Sequence, residues 1–131
     1  MSRLTNFPNG LSSFFVDSNS ETKTANYTVI IDTDSGKTLT SSLDGIVFTL
    51  PSIAISNTIT FVNMAPDGTA EMNISPAALD GITYVGDSTD DKDLINTKAT
   101  QKQGDSVTLA SLDGVAAWQV VAVRGVWAKE A

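Results

Sequence analysis

From Asn26 onward the hydrophobic positions recur with a period of two. In "NYTVIID" the residues Tyr27, Val29 and Ile31 alternate with Thr28, Ile30 and Asp32. In "IVFTL" Ile46, Phe48 and Leu50 share a face, and in "TITFVNM" Ile59 and Phe61 do the same. Further short runs of this kind are "TAEMNI", "ITYVG", "SVTLAS" and "WQVVAVRGVWA". All are rich in Val, Ile, Thr and aromatic residues and are bounded by Asp, Gly, Ser or Pro, which is the signature of short strands. No window holds a helical apolar stripe. In "KDLINTKATQKQG" only Leu94 and Ile95 are large and apolar, so an irregular loop is expected there.

The breaks between runs carry turn chemistry. Five of the nine glycines follow Asp or Asn: Gly10, Gly45, Gly68, Gly81 and Gly114. The phrase Leu-Asp-Gly occurs three times, as "SLDGI" (Ser42 to Ile46), "ALDGI" (Ala78 to Ile82) and "SLDGV" (Ser111 to Val115). A two-residue Asp-Gly turn fixes a register. Around Asp44-Gly45 it pairs Leu43 with Ile46, Ser41 with Phe48 and Leu39 with Leu50. Around Asp113-Gly114 it pairs Leu112 with Val115, Leu109 with Trp118 and Val107 with Val120. Both registers collect apolar side chains on one face, so both phrases predict hairpins. The copy at Asp80-Gly81 would put Pro76 in a ladder to which it cannot donate, so a turn of another kind is expected. The three copies lie 36 and 33 residues apart with unmatched sequence between them, which does not support a repeat architecture.

The fold class expected is therefore all-β: a compact antiparallel β-sandwich or barrel with short hairpins. Residues 1–23 are Ser-, Asn- and Thr-rich without sustained periodicity and are read as an extended N-terminal arm. Residues 24–131 are read as a single β domain. The arm carries an apolar island, Phe7, Leu11, Phe14 and Phe15, which is costly to leave in water and suggests docking on a neighbour.

Composition narrows the chemistry. The chain has neither cysteine nor histidine, which removes disulfides, thiolate chemistry, the commonest general base and the commonest metal ligand. The net charge of −7, with eight Lys and Arg residues against fifteen acids, argues against nucleic acid as a partner. No apolar run approaches the roughly 20 residues that span a bilayer, and the opening "MSRLTNFPNG" has no apolar signal core. The sequons at Asn26 and Asn73 are read as chance in that context. No membrane partner is expected.

Candidate sites are few. The run Asp87-Ser-Thr-Asp90-Asp91-Lys-Asp93 is the best candidate for calcium. Its spacing departs from the EF-hand loop, and a solvated loop is the simpler reading. No carboxylate pair stands out for glycoside hydrolysis, and "DSGK" (Asp34 to Lys37) lacks the spacing of a phosphate loop. No catalytic residue and no cofactor is expected. Trp118 and Trp127 could form a sugar platform. Trp118 alternates in phase with Val120 and Ala122 and is better placed in the core. Trp127 follows Gly125, where the alternation breaks, and is expected at an edge or subunit interface.

The order of phrases "TANYTVIIDTDSGKTLTSS", "IVFTLPS", "ITFVNMAPDGTAEMNISP" and "GDSVTLASLDGVAAWQVVAVRGVW", with "RLTNFPNGLSSF" before them, resembles head decoration (cement) proteins of tailed bacteriophages. The resemblance covers Arg3–Phe14 and Lys23–Trp127; the strand phrases also resemble modules of phage tails and fibres. It implies a structural virion protein, not an enzyme. Such a protein binds the outer surface of a preformed head as a homotrimer and stabilises the shell. Its partners would be the major capsid protein and its own copies. It would be made in the host cytoplasm and located on the virion. Phe7, Leu11, Phe14, Phe15 and Trp127 are then the candidate capsid or intersubunit contacts. A tail-fibre or carbohydrate-recognition module is the alternative.

Overall fold

The computed structural model describes residues 20–54, 56–115 and 117–131. Among these described residues eleven short strands and two single helical turns follow one another: β1 (Ser20–Thr22), β2 (Tyr27–Thr28), α1 (Ile31–Asp34), β3 (Thr38–Ser41), β4 (Ile46–Thr49), β5 (Thr58–Asn63), β6 (Met72–Ser75), β7 (Ile82–Thr83), β8 (Leu94–Asn96), a 3-10 turn (Lys98–Thr100), β9 (Asp105–Ala110), β10 (Trp118–Arg124) and β11 (Ala128–Lys129). They form two mixed sheets. One has the order β1-β3-β5-β9-β10-β7 and the other β11-β8-β6-β4-β2. The all-β expectation holds. The antiparallel one is corrected, because five of the nine ladders are parallel. The first sheet also begins at Ser20, inside the stretch assigned to the arm.

The parallel pairs arise because the chain winds instead of folding back. It passes from β1 to β2, from β3 to β4 and from β5 to β6. Each step crosses from the first sheet to the second, and each next step returns. Three turns stack in this way without any sequence repeat. What they share is only inward-facing apolar residues at alternate positions. On the first sheet Leu39, Phe61 and Val107 form one inward row, and on the second Phe48, Ile74 and Leu94 form the facing row. All six are fully buried, and the Phe48 and Phe61 rings meet across the core with centroids 4.9 Å apart.

The hairpin expected at Asp44-Gly45 is not formed. Strands β3 and β4 lie in different sheets, so the rungs Leu43–Ile46, Ser41–Phe48 and Leu39–Leu50 do not exist. Leu39 pairs with Phe61 and Ile46 with Met72 instead. The turn is an arch, held by Gly45 N–H donating to the Glu71 carbonyl (3.0 Å) and Glu71 N–H donating to Asp44 Oδ1 (3.0 Å). Two strands facing each other across a core satisfy the same inward pattern as two strands side by side. The hairpin at Asp113-Gly114 is formed, with a different register: Leu109 pairs with Val120, a bulge follows, and Val107 pairs with Val123. The shift is by two at Leu109, which keeps the same face inward, and by three at Val107, past the bulge. At Asp80-Gly81 the chain makes a turn closed by Asp80 N–H to the Ala77 carbonyl (2.8 Å) and no hairpin. Gly81 serves close packing there: a Cβ would sit 2.5 Å from the Ser88 carbonyl oxygen.

Two further expectations are corrected. The strand read over Tyr27 to Asp32 stops at Thr28, because the buried Asp34 carboxylate takes Ile30 N–H (2.8 Å) and the Tyr27 hydroxyl (2.7 Å) and curls the chain into α1. The loop read over Lys92 to Gly104 contains β8, whose Leu94 and Asn96 are fully buried. Its polar residues do not mark a solvated loop, because two of them, Asn96 and Gln101, are part of the interior.

That interior is polar at one end. Ser41, Asn63 and Asp105 continue the inward rows of the first sheet, and Asn96 faces them from the second. Asn63 donates to Asn96 Oδ1 (2.8 Å) and to the Ala70 carbonyl (3.1 Å). Asn96 donates to Asp105 Oδ2 (3.1 Å) and to the Val126 carbonyl (3.1 Å). Buried Gln101 donates to the Ala65 carbonyl (2.9 Å) and accepts Thr69 N–H (3.1 Å). Partnered in this way, the buried amides fix the loops 64–71 and 97–104 to each other, whereas an unpaired one would cost about 1–3 kcal/mol.

Candidate functional site

The winding puts the loops at two ends of the sandwich. The end opposite the polar interior gathers the described residues of four segments, 29–37, 50–54 with 56–57, 76–81, and 111–115 with 117. These segments are braced to one another. Asp80 Oδ2 accepts Ile53 N–H (2.8 Å), and Ser56 N–H donates to the Leu112 carbonyl (3.0 Å). Ser111 and Asn57 exchange hydrogen bonds through backbone and hydroxyl, the shortest 2.8 Å. Yet their tips carry apolar side chains in water: Leu79 is 88% exposed, Val115 77%, and Leu112 and Ile30 more than half. Leu112 also sits at φ 52°, where a bulky side chain is strained. A rigid, braced end that holds strained and solvated apolar groups has the properties of a preorganised contact surface.

A second surface lies along one flank. Strand β10 is seven residues long, but β7 covers only Trp118 and Gln119 on its outer side. From Val121 to Arg124 that edge has no strand partner among the described residues. Val121 and Val123 on this edge, and Val126 just beyond it, are exposed. Next to β10, the chain leaves β7 through a two-residue turn. Tyr84 and Asp87 exchange both backbone hydrogen bonds at 3.0 Å, while Val85 and Gly86 sit between them at φ 53° and 79°. Val85 is 86% exposed. Asn, Asp or Gly is the usual first residue of such a turn, and a β-branched one is a poor fit. Tyr84, Val85, Asp87, Trp127, Ala128 and Lys129 line a shallow groove of about 330 Å³ beside this turn.

The groove's charged groups are turned inward. Lys129 Nζ donates to the Ile82 carbonyl (2.6 Å), and loss of hydration lowers its pKa from the ordinary lysine value. Asp87 accepts from Thr89 N–H (2.9 Å) and the Thr89 hydroxyl (2.8 Å), which holds its carboxyl below the ordinary value. Asp93, between the Glu130 and Asp91 charges, is raised chiefly by desolvation. Within the acidic run, Asp87 thus spends its carboxylate inside its own loop, and Asp93 hydrogen-bonds to Ser75 on β6. Among the described residues no group of three or more acidic side chains is placed to hold a metal ion. No helix among them is long and apolar enough to cross a membrane.

Of the contact residues expected from the sequence, Phe7, Leu11, Phe14 and Phe15 lie outside the described residues. Trp127, expected at an edge or interface, is 4% exposed, packs with the core and donates its indole N–H to the Arg124 carbonyl (3.0 Å). The chain bends at Gly125 (φ 93°) from one sheet toward the other, and the indole closes the seam between them. Trp118 is fully buried, as its phase predicts, so neither indole forms a sugar platform. The residues that reach solvent, Val85, Val121, Val123, Val126, Leu79 and Leu112, had been assigned to strand interiors and turns. The consecutive apolar run Val120 to Val123, too apolar for a strand with one solvent face, was the available signal.

Compared with protein-family models and with curated proteins, the chain matches none.

Proposed function

We propose that this chain is a structural virion protein that decorates the outside of a tailed-phage head, binding the major capsid protein and its own copies, as a homotrimer. The phrase order along most of the chain supports this reading, and so does the kind of surface the fold presents. A decoration protein needs a rigid scaffold, a patch complementary to the shell and a patch complementary to itself. The observation that carries the proposal is the braced end with Leu79, Leu112 and Val115 held out in water. In this reading that end meets the shell. Its apolar tips supply the buried core of the contact, and Asp80 and Asp113 beside them supply the polar rim. Many copies, each bridging several capsid subunits, convert a modest single contact into a stable coat.

The test is binding to undecorated heads. Electron microscopy of heads mixed with the protein should show added density on their outer surface, and the heads should withstand more heat. The double variant L79D/V115D, at two exposed positions, should fold normally and lose this binding. Intact heads that gain no density would overturn the proposal. Binding to whole host cells or glycans instead would favour the tail-fibre reading. Normal head binding by L79D/V115D would keep the decoration role and move the contact elsewhere.

A further inference from the structure

We propose that the flank formed by the open edge of β10, the Val85 turn and Val126 is where a second copy of this chain docks. The inference deepens the reading above and rests on its self-association part.

Three observations point to this flank and this occupant. First, on the side away from β9, β10 leaves its outward backbone donors and acceptors between Val121 and Arg124 without a strand partner among the described residues. Proline and lysine, which commonly blunt such edges, are absent from β10 itself. Secondly, exposed valines gather here: Val121 and Val123 on the edge, Val126 after it, and Val85 on the neighbouring turn. Val85 is exposed and conformationally strained at once, so among the described residues little burial offsets the strain. A group of apolar side chains on one flank marks an interaction site in a way that scattered ones do not.

Thirdly, charge selects the occupant. Two molecules of net charge −7 repel wherever their carboxylates approach. From Gly114 to Ala128 the only charged residue is Arg124, and it forms no ion pair among the described residues. Along this stretch two copies can meet with few carboxylates opposed, Asp87 at the Val85 turn being the acid beside it, and Arg124 is attracted to the acidic surface of the copy next to it. The braced end cannot play that role as easily, because Asp32, Asp80 and Asp113 stand among its apolar tips. A basic partner would be drawn to those acidic regions and away from this one.

The contact joins copies edge to edge. Backbone hydrogen bonds along β10 supply strength, and Val85, Val121 and Val126 supply complementarity.

The experiment measures solution mass by light scattering on an eluting column, from micromolar to near-millimolar protein, for the full chain and two variants. V121K places a charge on the edge, at an exposed position that leaves the core untouched. L43K makes the same change at an exposed apolar position away from the flank. Wild type and L43K are expected to form a concentration-dependent oligomer. V121K is expected to weaken it at least tenfold, with unchanged circular dichroism. Amide exchange at Val121 to Arg124 should be slow in the oligomer and fast in V121K. An oligomer that survives V121K, with fast exchange along β10, overturns the flank assignment and leaves self-association standing. A wild-type protein that stays monomeric throughout overturns self-association in solution and this inference with it. Should V121K fail to fold, V126K serves the same comparison with the same outcomes.

Discussion

Replacing Val85 by asparagine should make the isolated chain more stable, although it removes a hydrophobic residue. Val85 occupies the first central position of the Tyr84–Asp87 turn at φ 53°, followed by Gly86 at φ 79°. Left-handed backbone costs an ordinary L-residue about 1–2 kcal/mol, and asparagine relieves much of this through its short polar side chain. Against that stands the burial lost. Val85 is 86% exposed, so of the roughly 1.5–3 kcal/mol that a fully buried valine contributes, only about 0.3 kcal/mol is at stake. The net gain expected is about 1 kcal/mol, or about 3–5 °C in Tm for a domain of this length. V85G should gain less, because glycine adds about 0.5–1 kcal/mol of chain entropy to the unfolded state. The stability order expected is V85N, then V85G, then wild type. Urea unfolding at low micromolar protein gives the comparison in the monomer. As concentration rises, the advantage of V85N should shrink, because an oligomer that uses Val85 stabilises wild type by mass action. V85N equal to or less stable than wild type in dilute solution would refute the reasoning about the turn. A gain that does not change with concentration would refute Val85 as a contact.

Other consequences are more local. Trp118 is fully buried with its indole N–H unpartnered among the described residues, so W118A should cost about 3–5 kcal/mol of unfolding free energy. W118F should cost much less, because it removes that orphan donor along with part of the volume. G125A should lose about 3 kcal/mol or more in the same assay. It adds a Cβ in a left-handed backbone and drives that atom into the Asp105 carboxylate, breaking a buried network. The Tyr27 hydroxyl donates to Asp34, which pushes its pKa from 10.0 up to about 12. The folded state therefore favours the protonated phenol. Its contribution is fully present below pH 10 and is lost as pH rises toward about 12. Comparing wild type with Y27F across that window isolates this group: their stability difference should narrow as pH rises, and a constant difference would refute the assignment.

The alternating phase of the chain located the core well. Ile46, Phe48, Leu50, Ile59, Phe61, Val107, Leu109 and Trp118 are all buried, as their phase predicts. Phase tells which way a side chain points and nothing about which strand lies beside it. For that reason phase alone pairs Leu39 with Leu50, whereas Leu39 lies in the first sheet and Leu50 follows β4 of the second. The three Leu-Asp-Gly phrases make the same point. One is an arch between sheets, one a hairpin whose register is shifted and broken by a bulge, and one a turn in which glycine serves close packing. Local chemistry asked for a reversal at each, and the destination of the chain after it was set by long-range packing. Polar interior residues were illegible for a related reason. Asn63, Asn96 and Asp105 look like loop residues until the fold brings them within hydrogen-bond distance across sequence separations of 33 and 9.

The contact surfaces were the least legible part. An exposed valine and a buried one are the same letter, and exposure depends on which edges the sheet leaves open. The sequence by itself determined that the chain is all-β, that its core draws on these alternating residues, and that thiol and imidazole chemistry are closed to it. Only the tertiary structure decided that the strands wind between two sheets, that Trp127 is buried with the core, and that β10 runs past its neighbour to leave Val121 and Val123 at an open edge among the described residues. The physical reason is that periodicity is a local property of the chain. Pairing, burial and exposure belong to residues that meet only after it has folded.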